Sequence, residues 1–130
     1  MIVFGSTVSG QDAVRGLMYV KEPLYSRYGM LFDMGYKMNS MWMKNTYIPL
    51  DVIFLDKNMN VIGHKENNQP HSLKSISIGK PSKYVLEMNA GSVKKFNIKR
   101  GDKIYFLNYK WIIFLFILII LINLKYFKYI

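Results

Sequence analysis

Short apolar runs separated by polar turn material dominate the first hundred residues. Leu50 to Asp56 is almost wholly apolar, Lys57-Asn58-Met59-Asn60 is polar, and Val61-Ile62-Gly63-His64 is apolar again, which predicts a hairpin with a four-residue loop. Gly29 to Phe32, Met41 to Met43, Tyr84 to Met88 and Lys103 to Phe106 are further short runs of strand character. Ser9-Gly10-Gln11-Asp12 fits a capping-box start, and Ala13, Val14, Leu17 and Met18 then share one helical face until Pro23 closes the segment. Ala90 to Phe96 predicts a second short helix, and Asn67 to Pro81, rich in Asn, Ser, Pro and Gly, predicts a long loop. Strands at this spacing argue for a mostly-β domain, a sandwich, jelly roll or barrel, with one or two small helices.

The pattern changes at Trp111. Fourteen residues lie between Lys110 and Lys125, and the one polar residue among them is Asn123. A helix of that length rises about 21 Å, short of the roughly 30 Å of a bilayer core. Tyr105, Phe106, Tyr109 and Trp111 on one side, and Tyr126, Phe127 and Tyr129 on the other, supply aromatic belts, and the flanking lysines can snorkel. Because the run is apolar all round, it predicts a membrane anchor rather than a core helix. The division expected is a globular domain over residues 1–106 and an anchor with a short basic tail over 107–130, meeting the lipid bilayer through residues 109–127. At the other end, Met1 to Phe4 has no basic flank and gives way to Gly5-Ser6-Thr7, so no secretory signal is expected.

Charge adds to this picture. The chain of 130 residues has 18 basic and 8 acidic side chains, and eight of the basic ones fall after residue 93 with one acidic, Asp102. Lys94, Lys95, Lys99, Arg100, Lys103 and Lys110 precede the apolar run, whereas Lys125 and Lys128 follow it. By the positive-inside rule the head faces the cytoplasm, and the six preceding cations are placed to rest on anionic lipid headgroups. A solvated basic face is the simpler account of the same residues. Net charge alone suggests nucleic acid, and its concentration beside the anchor argues against that partner. Zero cysteines exclude disulfides, thiol nucleophiles and zinc knuckles, and no phosphate loop or serine elbow is present, so no cofactor is expected.

Several segments occur in a familiar order. Arg15-Gly16-Leu17-Met18-Tyr19 is followed by Gly29-Met30-Leu31-Phe32, then by Trp42-Met43-Lys44-Asn45-Thr46-Tyr47-Ile48-Pro49-Leu50-Asp51-Val52-Ile53-Phe54-Leu55. Glu66-Asn67, Tyr84 to Gly91 and Gly101-Asp102 complete the series. From about Ser9 to Phe106 the chain resembles the domain-of-unknown-function 192 family. The resemblance implies a single compact mostly-β domain and no particular activity. Many relatives carry an N-terminal secretion signal or lipoprotein anchor, whereas here the apolar segment is C-terminal. Relatives often have Cys where this chain has His71, so no thiol role carries over.

The candidate chemistry is sparse. Trp42, Lys44, Asn45 and Thr46 at a strand end, with Arg15 and Asp51 in support, can line a pocket for a sugar, nucleotide or carboxylate. The plainer alternative makes Trp42 core and has Asn45 and Thr46 bond the turn before Pro49. Asp51, in an apolar strand, needs a partner; Arg15 or Lys44 would serve as an ion pair. Asp51 and Glu87 are weak candidates for a glycosidase-like carboxylate pair, and His64, Glu66 and His71 for a metal site, although their spacing matches no established motif. The leading expectation is a non-catalytic ligand-binding or accessory module. The alternatives are a hydrolase acting on a small or glycan-like substrate, and a scaffold contacting another membrane protein.

Overall fold

The structure, a computed structural model, describes residues 1–129. The elements in chain order are β1 (Ile2–Val8), α1 (Gly10–Arg15), β2 (Tyr28–Lys37), β3 (Leu50–Leu55), β4 (Val61–Asn68), β5 (Ser82–Asn89), α2 (Ser92–Lys95), β6 (Tyr105–Asn108) and α3 (Tyr109–Phe127). All six strands join one mixed sheet in the order β4-β3-β5-β2-β1-β6. The fold is mostly β, as the run spacing predicts. An isolated bridge between Asn60 and Lys103 links the start of β4 to the segment entering β6, so the two edges of the sheet approach one another.

The predicted hairpin is β3–β4, and its turn is pinned by Asp56, whose Oδ1 accepts from the backbone N–H groups of Asn58 and Asn60. β4 runs on to Asn68, beyond the apolar run, because β3 continues to supply its ladder partners. β3 is buried along its whole length, since β4 and β5 flank it and apolar clusters cover both faces. Leu31, Ile53, Leu55, Leu86 and Met88 lie in one cluster with Val93, Ile98 and Ile104. Phe32, Val52, Phe54 and Val85 lie in the other with Leu17, Met43, Ile48 and Ile76.

The first helix is shorter than the pattern predicts. It stops at Arg15, because Gly16 takes a positive φ of 47° with its position packed against the ring of Phe32. The expected capping box does not form: Ser9 is extended and makes no side-chain cap bond. Met41 to Met43 is not a strand; it makes a single bridge from Met41 to Ile76 in the long loop after β4.

β6 passes directly into α3, and the boundary expected after residue 106 falls inside this strand. The side chain of Asn108 caps the helix by accepting from Lys110 N–H. None of the described residues of α3 is buried, and it is long and apolar enough to cross a membrane. Ile130, the last residue of the expected anchor, lies outside the described residues.

Candidate ligand-binding site

Strand alternation decides which charged side chains can meet. In the β3–β5 ladder Val52 pairs with Glu87 and Asp51 with Met88. Paired residues on adjacent strands share a face and successive residues oppose one another, so Glu87 and Asp51 point to opposite faces of the sheet. The carboxylate pair imagined for a hydrolase is therefore not brought together.

Asp51 is fully buried, and its two carboxylate oxygens are used within the fold. Oδ1 accepts from Asn67 N–H at 2.8 Å and Oδ2 from Val93 N–H at 2.9 Å. Asp51 thus ties β4 and α2 to β3. Neither Arg15 nor Lys44 is its partner, contrary to the ion pair expected from sequence, because both belong to the other side of the sheet.

That other side holds a cavity of about 490 Å³. One wall is α1 and the turn after it, from Gly10 to Met18. Phe32, Asp33, Met34 and Lys37 of β2 form its base, with Glu87 beside them. Ser40, Met41, Trp42, Lys44 and Thr46 close the other side. Four of the six expected ligand-binding residues, Arg15, Trp42, Lys44 and Thr46, line this space, and Asn45 and Asp51 do not. Trp42 is 46% exposed, so it is a wall and not core, and Lys44 Nζ lies over its ring, 5.0 Å from the centroid. Alternation does place Met43 on the buried side, but Asn45 leaves the pattern at φ 53° and donates its amide to the Tyr19 hydroxyl. Thr46 is buried and its hydroxyl donates to the Lys44 carbonyl.

Glu87 is the unusual group. It is 4% exposed, and its carboxyl makes no hydrogen bond to another described residue. Burial raises its pKa to about 8. At neutral pH it is therefore largely an un-ionised acid, able to donate one hydrogen bond into the cavity. The nearby Asp33 is different, because Lys83 Nζ lies 2.6 Å from its Oδ1 and holds its carboxyl below the ordinary value. The sequence signal for Glu87 is a lone acid in the apolar strand 84–88. What cannot be read from sequence is that it shares a cavity with Lys44 and Arg15.

The weak metal candidates are not assembled. His64 Nδ1 lies 3.6 Å from Glu66 Oε2, whereas His71 packs edge-on against Tyr47. Among the described residues no group of three or more His, Cys, Asp or Glu is placed to hold a metal ion. The six cations expected to meet headgroups lie on separate elements: Lys94 and Lys95 on α2, Lys99, Arg100 and Lys103 in the segment before β6, and Lys110 on α3. Lys95 donates to Ser26 and Lys103 to the Asn58 carbonyl.

The profile of the uncharacterised ACR family DUF192 matches residues 7–106, three quarters of the chain. The chain belongs to the DUF192 family. Two solved structures share the fold of this DUF192 domain. One is a candidate transcription regulator from Sinorhizobium meliloti 1021, 38% identical, with a TM-score of 0.73 over 76% of this chain and 78% of that one. The other is a protein of unknown function from Novosphingobium aromaticivorans DSM 12444, 33% identical, with a TM-score of 0.72 over 76% of this chain and 71% of that one. No curated protein matches the chain significantly.

Proposed function

We propose that the DUF192 domain is a non-catalytic binding module for a small organic anion, held at a membrane by α3. The observation that carries this reading is Glu87, a buried acid with no internal partner at the base of an open cavity. Its carboxyl is directed to the cavity and not to a partner within the fold, so a ligand bound there can take its hydrogen bond. The cavity is mostly apolar, from Leu17, Phe32, Met34 and Met41, and Arg15, Lys37 and Lys44 stand exposed around it. Such a site suits an apolar body with an anionic group at the cations and a carbonyl or hydroxyl oxygen accepting from Glu87.

The proposed division is a head up to the end of β6 and an anchor beyond it. The cation excess before α3 supports a head on the cytoplasmic side. A second reading, a scaffold contacting another membrane protein, is favoured by one feature. Ile2 pairs with Tyr105 and Phe4 with Leu107, and all four side chains are exposed on one face of the sheet edge.

The test uses the full chain in phosphatidylcholine vesicles with Trp111→Phe, which leaves Trp42 as the single tryptophan. Hexanoate and hexyl phosphate are titrated against hexanol while Trp42 emission is read. A saturable response to an anion, weakened about ten-fold or more by R15A or K44A, supports the reading. E87Q, which keeps a donor, retains binding, and E87L loses it. No saturable response to either anion overturns the proposal.

A further inference from the structure

The segment from Met41 to Thr46 is a partition with a cavity on each side. Trp42 and Lys44 line the Glu87 cavity, and Met43 between them lines another, of about 430 Å³. The long loop after β4 closes this second space. Backbone bonds hold that loop to the partition. Met41 and Ile76 exchange N–H and carbonyl groups at 2.9 and 2.8 Å, Met43 N–H donates to the Ser72 carbonyl at 3.0 Å, and His71 N–H donates to the Thr46 carbonyl at 3.1 Å. Asn67, on the β4 side, is fixed by its own N–H, which donates to the buried Asp51. The walls are therefore set by the fold itself.

The floor of this cavity is apolar, from the buried Met43 and Ile76. Its walls are not. Lys65 and Lys74 are exposed there, and neither is in an ion pair among the described residues. No described acid lines the space; Glu66, next to Lys65, lies 3.6 Å from His64 instead. Ser72 Oγ accepts from Lys74 N–H at 3.3 Å and Ser77 Oγ from Gly79 N–H at 3.2 Å, so each hydroxyl keeps its own proton for donation. Asn67 Oδ1 accepts from Gln69 Nε2 at 3.1 Å, which leaves the Asn67 amide nitrogen to donate and the Gln69 side-chain carbonyl to accept.

We infer that this second cavity binds a phosphate monoester of a small hydroxylated molecule, with its phosphoryl group at Lys65 and Lys74 and its hydroxyls at Asn67, Gln69, Ser72 and Ser77. A phosphate monoester carries nearly two negative charges at neutral pH and three strong acceptor oxygens, which suits two unpaired ammonium groups among hydroxyl donors. A carboxylate would bring a single charge. The volume is within the range of small-ligand sites. The inference is independent of the Glu87 cavity, whose walls are mostly apolar and whose cations are Arg15, Lys37 and Lys44.

The test is calorimetric titration of the full chain in phosphatidylcholine vesicles with glucose 6-phosphate, glucose and ethyl phosphate. Glucose 6-phosphate should bind saturably and glucose should not. Lys65→Ala and Lys74→Ala should each weaken binding about ten-fold or more, with Lys74→Arg restoring most of it. Both lysines are exposed, so these variants should melt with the parent chain. R15A, on the other side of the partition, should leave the affinity unchanged. Vesicles carrying phosphatidylinositol 4-phosphate tell the source of the ester. Competition from them, and not from vesicles of equal charge made with phosphatidylserine, supports the site with a lipid headgroup as its ligand, and no competition supports it with a soluble one. Absence of glucose 6-phosphate binding overturns the inference, as does binding that survives both lysine substitutions. Binding lost in R15A and kept in Lys74→Ala assigns the ester to the Glu87 cavity and also overturns it. Ethyl phosphate binding as tightly as glucose 6-phosphate rules out the hydroxylated ligand.

Discussion

Asp51 and Glu87 stand one ladder position apart on neighbouring strands and face opposite sides of the sheet. Each is a buried acid, and their surroundings give them different tasks. Asp51 accepts two backbone N–H groups and holds the fold; Glu87 accepts none and faces a cavity.

Asp51→Ala leaves the N–H groups of Asn67 and Val93 without their acceptor. Unsatisfied buried donors cost about 1–3 kcal/mol each, so the loss should be on the order of 2–5 kcal/mol. Chemical denaturation of the full chain should show it, with hexanoate affinity of the folded fraction unchanged. A loss of binding without a loss of stability would reverse the two roles.

Glu87 predicts a stability that falls with pH. Its carboxyl titrates near 8 in the fold against an ordinary 4.5 in the unfolded chain. The fold therefore holds the extra proton between those values, and stability declines as pH rises from about 4.5 through 8. Glu87→Gln cannot ionise, so the pH-dependent part of its melting curve should flatten across that window. At pH 8.5 it should melt above the parent chain. Parallel pH profiles for the two proteins would exclude the assignment.

Gly5 has no room for a side chain. A Cβ there would overlap the carbonyl oxygen of Gly29 on the paired strand, with the Phe106 ring 3.1 Å away. Gly5→Ala should cost about 3 kcal/mol or more, because backbone, not a flexible side-chain end, must move. The same change at Gly35, where nothing lies within 4 Å, is limited to the strain of a positive φ of 73°. Thermal melts of the two variants should rank in that order.

The membrane reading is open to a single charge. Arg at a helix centre opposes insertion by about 2.5–3.5 kcal/mol. Ile117→Arg should move a measurable share of the chain from the carbonate-resistant membrane fraction to the supernatant. Full retention of this variant in the membrane pellet would count against α3 as a span.

Much of the architecture is legible in local pattern. The β3–β4 hairpin, the core of β5 and the limits of α3 follow from apolar runs and the turn material between them. β1 is hidden in the sequence because Gly5-Ser6-Thr7 looks like a break. It is a strand because Gly5 allows close approach to β2, and β2 and β6 supply partners on both sides. The site is half legible for a similar reason. Trp42 and Lys44 share a face by short-range alternation, but whether Glu87 joins them or joins Asp51 depends on the β3–β5 register. That register is set by pairings between residues 29 to 39 positions apart, from Leu55 with Tyr84 to Leu50 with Asn89, which no local pattern contains.

The placement of β1 also has a consequence for folding order. Ile2 pairs with Tyr105, so the first strand made waits for the last before both of its edges are covered. Contacts of such sequence separation form slowly, because a long loop must close first. During synthesis β1 is a parallel edge with Ile2 and Phe4 exposed until Asn108 has left the ribosome. A chain cut before Tyr105 keeps that edge permanently, and an unpaired edge of this kind is a template for self-association.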